Sequence, residues 1–246
     1  MFGWFDIAFY QPLLNLLVYI YNIIPGHDIG VAIIIITLLI KLVLYPLTAH
    51  SLKSQRMMQD LQPKIDALKI KYKDQKELMA QELMKLYKEE KINPLSSCFP
   101  LLVQIPFFIA IYQVFAAGLS SKTALVLYPF VANPGTLNHI AFGFLNLGTP
   151  NWFLAVLAGA AQFWQAKMMP MQKPAIGGDG SKDENMAVMV NKQMTYFMPI
   201  MTLFIGLSLP GGLMLYWCVN SLFAVAQQKI AFRKRKELTV QVIDKK

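Results

Sequence analysis

Lys41 is the residue of this chain whose type and position most clearly predict chemistry. It lies inside an otherwise uncharged apolar run, residues 29–47, of the 246-residue sequence. A run of this length predicts a membrane-spanning helix, which needs about 20 mostly apolar residues. A cation near the middle of such a helix costs roughly 2.5–3.5 kcal/mol on insertion scales, so Lys41 predicts a functional site.

Other polar side chains in apolar segments predict a polar groove around Lys41. Thr37 lies one helical turn before Lys41 and on the same helical face. Further polar residues occur in the other apolar segments: Gln104, Gln162, Gln165, Asn191, Thr195, Asn220 and Ser221. The alternative is that Lys41 snorkels, since its long stem could reach the cytoplasmic interface without any groove. Many of the polar residues would in either case bond neighbouring helices.

The apolar segments lack the sets of side chains that metal or covalent chemistry requires. His27, His50 and His139 are scattered, and the sequence has neither an HExxH motif nor a Cys/His cluster. The apolar cores of the five predicted spans, at about 29–48, 96–117, 151–169, 194–209 and 212–229, contain no Asp, Glu or His, so an intramembrane enzyme would lack a paired acid or a nucleophile with its base. The sequence therefore predicts no enzyme activity, no metal and no cofactor.

The charge distribution predicts a membrane topology. The chain is 55% hydrophobic and only 15% charged, with a net charge of +9, whereas about 25% charged residues is usual. Ten Lys and Arg lie in residues 53–91, four in 167–192 and seven in 229–246. When these three groups are placed in the cytoplasm, the positive-inside rule predicts five spans and a cytoplasmic C-terminus. The charge is thus explained by topology and lipid, and no DNA partner is predicted.

The predicted fold class is an all-α membrane protein with five transmembrane helices around a cytoplasm-open polar groove. The predicted segments are an N-terminal interfacial amphipathic helix on the outer side (1–28), transmembrane helices 1 to 5 (29–50, 93–117, 151–169, 194–209 and 212–229), a cytoplasmic helical hairpin (51–92), an extracytoplasmic loop (118–150), a cytoplasmic loop (170–193) and a basic cytoplasmic tail (230–246).

Three of these segments have alternatives that the sequence leaves open. Residues 4–24 could cross the membrane, but Gln11, Asn15 and Asn22 share one helical face and no Lys or Arg precedes them, which favours an interfacial helix. The basic tail could anchor the chain to lipid or contact ribosomal RNA. The segment 51–92 carries two apolar stripes, which favour two antiparallel helices over a solvated linker.

Several motifs, which follow one another along nearly the whole chain, carry a family resemblance. They are QPL at residues 11–13, IIIIT at 33–37, YPLT at 45–48, QPK at 62–64, NPLSSCFPLLVQIPF at 93–107 and LPGGLMLYW at 209–217. With these motifs the chain closely resembles the YidC/Oxa-type membrane protein insertases, in the short bacterial form without a large extracytoplasmic domain. Each motif alone is moderately specific, whereas their common order is a strong signal.

The resemblance implies an ATP-independent insertase and chaperone for membrane proteins, in the bacterial plasma membrane with the N-terminus outside. It implies a groove that binds clients and is formed by Lys41, Thr37, Gln104, Gln165, Tyr216 and Trp217. The implied partners are nascent membrane proteins, membrane lipids, and also the Sec translocon, the signal recognition particle with its receptor, and the ribosome. The alternative function is a small-solute transporter or lipid scramblase with Lys41 as an anion site.

Lys41 departs from the family pattern, because the family usually carries Arg at this position. Arg presents five donors in a planar fork that suits bidentate binding of a carboxylate, whereas Lys is a compact point charge. This difference puts in doubt any mechanism that requires bidentate recognition of a client carboxylate.

Overall fold

The structure, a computed structural model, describes residues 3–72, 75–93, 99–116, 127–168 and 193–243. These residues are mostly helical, so the prediction of a helical protein is confirmed in this coarse form. The five transmembrane helices, the groove and the division into ten segments stay predictions. Lys122, the start of the second predicted span and nearly all of the predicted cytoplasmic loop 170–193 lie outside the described residues.

The described chain begins with one α-helical turn, Gly3–Phe5, and one π-helical turn, Asp6–Tyr10. A second π-helical turn, Gln193–Phe197, precedes helix α7. The longer helices are α1 (Gln11–Ile23), α2 (Ile29–Val43), α3 (Tyr45–Lys71), α4 (Lys76–Glu89), α5 (Phe99–Ala116), α6 (Trp152–Met168), α7 (Met198–Gly206) and α8 (Gly211–Ile243). A short two-stranded antiparallel ladder pairs β1 (Ile140–Ala141) with β2 (Leu145–Asn146).

A helix that crosses a bilayer must be both long and apolar. In the described ranges, none of the helices meets both requirements by itself, whereas α2 and α3, which form a bent pair, meet them together by length and composition. The bend lies at Leu44, before the predicted end of the first span at residue 50. The position fits Pro46, because proline has no backbone N–H to donate and is best accommodated in the first turn of a helix.

The chain forms two compact units. Unit 1 comprises Met1–Tyr45, Leu101–Gln162 and Pro199–Ala224, and unit 2 comprises Pro46–Pro100, Phe163–Met198 and Val225–Lys246. Unit 1 contains the larger apolar core. Its most completely buried side chains are Leu14, Val18, Ile29, Ile33, Leu147, Leu213 and Met214.

In unit 1, two asparagines on the polar face of α1 bond to other parts of the protein. Asn15 is buried, its Nδ2 donates to Gln11 O at 2.8 Å, and its Oδ1 accepts from Tyr128 N at 2.6 Å. Asn22 Nδ2 donates to Ala132 O at 2.7 Å. These bonds satisfy backbone groups of the segment 127–138, so the asparagines alone do not indicate a helix on the membrane surface. The placement of α1 on or across the membrane stays a prediction.

Asp28 holds the start of α2 and the turn of the β-hairpin together. Its Oδ1 accepts from Gly30 N at 2.7 Å and from Val31 N at 3.1 Å, which caps the helix. Its Oδ2 accepts from Phe142 N in the turn between β1 and β2. One carboxylate therefore fixes the hairpin against this end of the core.

Backbone hydrogen bonds connect the turn before α8 to the segment before α6. Gly211 N donates to Thr149 O at 2.9 Å, and Gly212 N donates to Leu147 O at 3.0 Å. Both residues belong to the LPGG sequence at 209–212. These bonds place the start of α8, and with it Tyr216, at a fixed position in the core of unit 1.

Unit 2 is organised by the pairing of α3 and α4. Leu61, Ile65 and Ile92 form a small buried cluster that is completed by Met57, Met58, Leu83, Leu86 and Tyr87. Burial raises the pKa of the Tyr87 phenol. Lys64 forms an exposed ion pair with Glu90, which contributes little to stability because both charges are solvated. Arg56 Nη1 donates to Ala231 O of α8 at 2.6 Å, which ties α3 to this part of α8.

Candidate functional site

Lys41 is the centre of the candidate site. It lies on the buried face of α2, and its side chain is only 6% exposed. Lys41 is also the only Lys or Arg among the described residues of unit 1. Its Nζ donates a hydrogen bond of 3.3 Å to Oε1 of Gln104 on α5. A long cationic side chain is thereby held inside a helical core rather than extended along its surface.

A second hydrogen bond fixes the orientation of the Gln104 amide. Gln104 Nε2 donates to Tyr216 Oη, and Tyr216 is 2% exposed on α8. Since an ammonium group can only donate, the amide must turn its oxygen to Lys41 and its nitrogen to Tyr216. Side chains of α2, α5 and α8 thus form one chain of hydrogen bonds, Lys41 to Gln104 to Tyr216.

Lys41 has no acidic partner among the described residues. The carboxylates of that part of unit 1 belong to Asp6 and Asp28, and Asp28 is engaged at the start of α2. Gln104 provides a neutral dipole but no compensating charge. A buried cation that lacks a counter-ion attracts an anionic group, because the cost of its burial is offset only by pairing. The site is therefore suited to bind a carboxylate.

The other residues predicted for the site lie in different environments. Thr37 is buried, and its hydroxyl donates to Ile33 O in its own helix at 2.6 Å. Trp217 is half-buried and packs edge-to-face against Phe108, with 5.0 Å between ring centroids. Gln165 is half-buried and belongs to unit 2. The hydrogen-bonded site thus comprises Lys41 and Gln104 with Tyr216, and Trp217 adds an aromatic contact from the neighbouring position.

Three further buried oxygens of unit 1 accept no hydrogen bond from the described residues. They are Gln162 Oε1, Asn220 Oδ1 and Ser221 Oγ. Buried polar atoms without a protein partner are usually satisfied by ordered water. These positions, which the sequence had marked as polar within apolar segments, therefore support a hydrated interior.

An exposed apolar stripe on α5 is a feature that the sequence reasoning missed. Leu102, Ile105, Ile109 and Tyr112 are exposed and follow one another at helical spacing. The opposite face of α5 contributes Ala110, Ile111 and Val114 to the core. The spacing was readable from the sequence, but α5 is apolar apart from Gln104 and Gln113, so its sequence does not show which of its apolar faces is buried.

Within the described ranges, no group of three or more His, Cys, Asp and Glu side chains is arranged to hold a metal ion. The groups that the candidate site offers to a ligand are the ammonium group of Lys41 and the neutral polar side chains of Gln104 and Tyr216.

The hydrogen-bond chain predicts a measurable coupling between Gln104 and Tyr216. Tyr216→Phe leaves the Gln104 amide without its acceptor and should lower the free energy of unfolding by about 1 kcal/mol. In the background of Gln104→Leu the same change should cost clearly less, since the bond is already absent. A double-mutant cycle of unfolding in detergent measures this difference, with a coupling of about 0.6 kcal/mol expected for helices in a membrane. Additive costs would contradict the bond.

Comparisons with known proteins place these observations in a family context. The family model described as 60Kd inner membrane protein matches residues 19–238. Membrane protein insertase YidC of Nitratidesulfovibrio vulgaris (strain DP4) is 35% identical over 232 residues, which are 94% of this chain and 40% of the relative. The proteins of the same name from Haemophilus influenzae (strain KW20) and Pelobacter propionicus are 36% and 38% identical, over 91% and 92% of this chain.

The matched relatives are longer than this chain. It covers 40% of the Nitratidesulfovibrio protein, 36% of the Haemophilus protein and 38% of the Pelobacter protein. The matched region contains the hydrogen-bonded residues of the candidate site, since Lys41, Gln104 and Tyr216 all lie within residues 19–238.

Proposed function

We propose, from the premise that this chain belongs to the 60Kd inner membrane protein family, that it inserts integral membrane proteins into the bacterial inner membrane and assists their folding. The relatives that bear the name membrane protein insertase YidC support this function. The proposed activity requires no covalent step, no nucleotide and no cofactor. The protein acts by lowering the barrier that a polar client segment meets at the bilayer.

The observation that carries the proposal is the buried, uncompensated charge of Lys41. An anionic side chain of a client is the partner that this charge lacks. At an effective dielectric constant near 20, an ion pair at 4 Å is worth about 4 kcal/mol. Bringing one charge to the centre of a bilayer costs roughly 2.5–3.5 kcal/mol. Because the two energies are similar, one such pair would offset the cost of moving one acidic residue inward.

Other buried polar atoms of unit 1 would extend the path of the client's polar tail beyond Lys41. The unpaired oxygens of Gln162, Asn220 and Ser221 support a hydrated groove in which a short polar tail stays solvated on its way into the membrane. Thr37, Trp217 and Gln165 are proposed as further groove residues. The tail would be held there while the adjoining apolar part of the client enters lipid.

The exposed stripe on α5 supports a lateral path for the apolar part of the client. Leu102, Ile105 and Ile109 present a continuous apolar surface on the same helix as Gln104. A client helix could pack on this surface and then partition into lipid. The transfer of its apolar surface from water to lipid would provide the net driving force.

The membrane arrangement is part of the proposal. Five spans, a cytoplasmic C-terminus and an outer N-terminus follow from the positions of the Lys and Arg groups. The helical hairpin of α3 and α4, in unit 2, would then lie in the cytoplasm and receive clients or targeting factors. The Sec translocon, the signal recognition particle with its receptor, and the ribosome are proposed partners, and the basic tail is the proposed ribosome contact.

The alternative function of a small-solute transporter or lipid scramblase gains no support from these comparisons, because the relatives named above are insertases. Lys41 would serve as an anion site in either function. The two functions differ in what crosses the bilayer, so the decisive assay must follow a polypeptide rather than a solute.

Reconstitution tests the proposed function directly. The purified chain is placed in liposomes without nucleotide, and a radiolabelled single-span client with a short acidic tail is added. We expect the client tail to become protected from external protease when the chain is present, because the groove lowers the barrier to its entry. Liposomes without protein, and liposomes with an unrelated helical membrane protein, are the controls. Equal protection in all three preparations would contradict the function.

A further inference from the structure

The β-hairpin of unit 1 and the start of α6 present aromatic side chains that are partly or largely exposed in the described protein. Phe144, beside the turn, is 79% exposed, and Phe142 within the turn is 41% exposed. Trp152, at the start of α6, is 69% exposed, and Phe153 beside it is also exposed. Such large apolar side chains grouped on one end of a compact unit indicate an interaction surface.

The hairpin holds these side chains in a strained, fixed conformation. Phe142 has a φ of +55° and Gly143 a φ of +82°, and Phe144 N donates to Ala141 O at 3.2 Å across the turn. A bulky residue with positive φ is uncommon, and such strain persists only where its surroundings enforce it. The Asp28 carboxylate, which accepts from Phe142 N, provides this enforcement.

The hairpin also packs closely on the helix that carries Lys41. A Cβ atom added to Gly30 of α2 would lie 2.6 Å from Ala141 Cβ and 3.0 Å from the Phe142 ring. The Phe142 ring is itself part of this close packing and is only partly exposed, whereas Phe144 is largely exposed. The contact with α2 therefore fixes the position of the turn that carries Phe144.

The chemistry of the surrounding segment identifies the partner. Residues 123–166 contain no Asp, Glu, Lys or Arg, although they include the hairpin and nearly all of α6. The exposed aromatic residues continue into exposed Val156 and Leu157 on α6. An apolar helix face that continues into aromatic residues fits the boundary between acyl chains and headgroups.

We propose that the tip of this hairpin, Phe142 to Phe144 with Trp152, inserts into the headgroup region of the outer lipid leaflet. The hairpin then anchors one end of α2 and α6 at a fixed depth, which holds Lys41 at its depth within the bilayer. This proposal rests on the membrane location in the proposed function, but not on the insertion of clients.

Site-specific fluorescence tests the proposal in the full chain. Cys98→Ser and Cys218→Ala remove the native thiols, and Phe144→Cys, Thr136→Cys and Val156→Cys each introduce one labelling site for an environment-sensitive dye. Thr136 is an exposed polar residue of the same segment and Val156 is an exposed apolar residue of α6. Each labelled protein is reconstituted in phosphatidylethanolamine and phosphatidylglycerol vesicles that contain lipids with a nitroxide near the headgroup.

We expect the dye at position 144 to emit to the blue of the dye at 136 and to be quenched by the lipid nitroxide. The dye at 136 should instead be quenched by aqueous iodide. Equal emission and equal iodide quenching at 144 and 136, with lipid quenching at 156, would overturn the hairpin proposal alone. A blue-shifted dye at 144 that neither quencher reaches would indicate a protein partner and would also overturn it. Absence of lipid quenching at 156 as well would overturn the membrane location itself.

Discussion

Replacing Lys41 with glutamate is expected to stop the insertion of a single-span client whose short tail is acidic. The wild-type charge attracts the tail by about 4 kcal/mol at an effective dielectric constant near 20, and glutamate turns this attraction into repulsion. Each 1.4 kcal/mol corresponds to about a tenfold change in rate, so insertion should slow by at least about tenfold even after strong screening. The yield of protease-protected client in proteoliposomes measures the effect.

Two further substitutions at the same position separate charge from geometry. Lys41→Arg should retain insertion, because it keeps the positive charge while it changes the donor arrangement. Lys41→Gln should fall between wild type and Lys41→Glu, because it removes the attraction without adding repulsion. A client whose acidic tail residues are replaced by Asn or Gln is the matched control, and its insertion should depend much less on residue 41.

Gln104→Glu extends this test without a change to Lys41 itself. The Gln104 Oε1 atom already lies 3.3 Å from Lys41 Nζ, so a glutamate here would give the lysine its own counter-ion. We expect insertion of the acidic client to fall although the positive charge remains in place. Normal insertion by both Lys41→Glu and Gln104→Glu, with unfolding midpoints like that of wild type, would refute the electrostatic mechanism.

The position of Lys41 could be predicted from the sequence, and the family resemblance named Gln104 and Tyr216 as groove residues, whereas the hydrogen bonds that join the three could not be predicted. A single charged residue in an apolar run is evident from the local sequence, and the hydrophobicity of its neighbours predicts that it is buried. Gln104 and Tyr216 lie 63 and 175 residues further along the chain, and only helix packing brings them to Lys41. The sequence marks them as polar or aromatic groups in apolar segments, but it does not show that one amide bridges the other two side chains.

Tertiary contacts add information that local signals lack. Asn15, on the polar face of α1, is buried, and its Oδ1 accepts from the backbone N–H of Tyr128, 113 residues later. The helix that carries Lys41 ends at Val43, whereas the sequence predicts a span to residue 50, and the bounds of that span stay a prediction. The left-handed conformation of Phe142 had no sequence signal, because the contact with Asp28 that holds it is not local.

Adding one methyl group at Gly206 is expected to destabilise unit 1. An added Cβ would lie 2.6 Å from Met214 Sδ and 2.9 Å from Ala155 Cβ, so α6, α7 and α8 meet here without space for a side chain. Replacing Gly with Ala in a helix normally gains up to about 1 kcal/mol. Overpacking a tight core costs about 1–3 kcal/mol, so Gly206→Ala should lower the free energy of unfolding by about 1–2 kcal/mol. Unfolding in mixed detergent micelles measures this change.

A compensating substitution on α6 tests whether the contact with Ala155 is the cause. Met214 is a flexible side chain that can move aside, whereas the Cβ of Ala155 is fixed to its helix, so the second contact should dominate. Ala155→Gly alone should destabilise the protein, since it weakens α6 and removes a buried methyl group. Combined with Gly206→Ala, it should cost less than the sum of the two single changes, because the new methyl group fills the space of the old one. Gly3→Ala, where an added Cβ would meet nothing within 4 Å, is the matched control. If the unfolding free-energy costs of Gly206→Ala and Ala155→Gly simply add, the three helices do not meet at Gly206 as described. The packing that positions Tyr216 on α8 would then be contradicted at this contact.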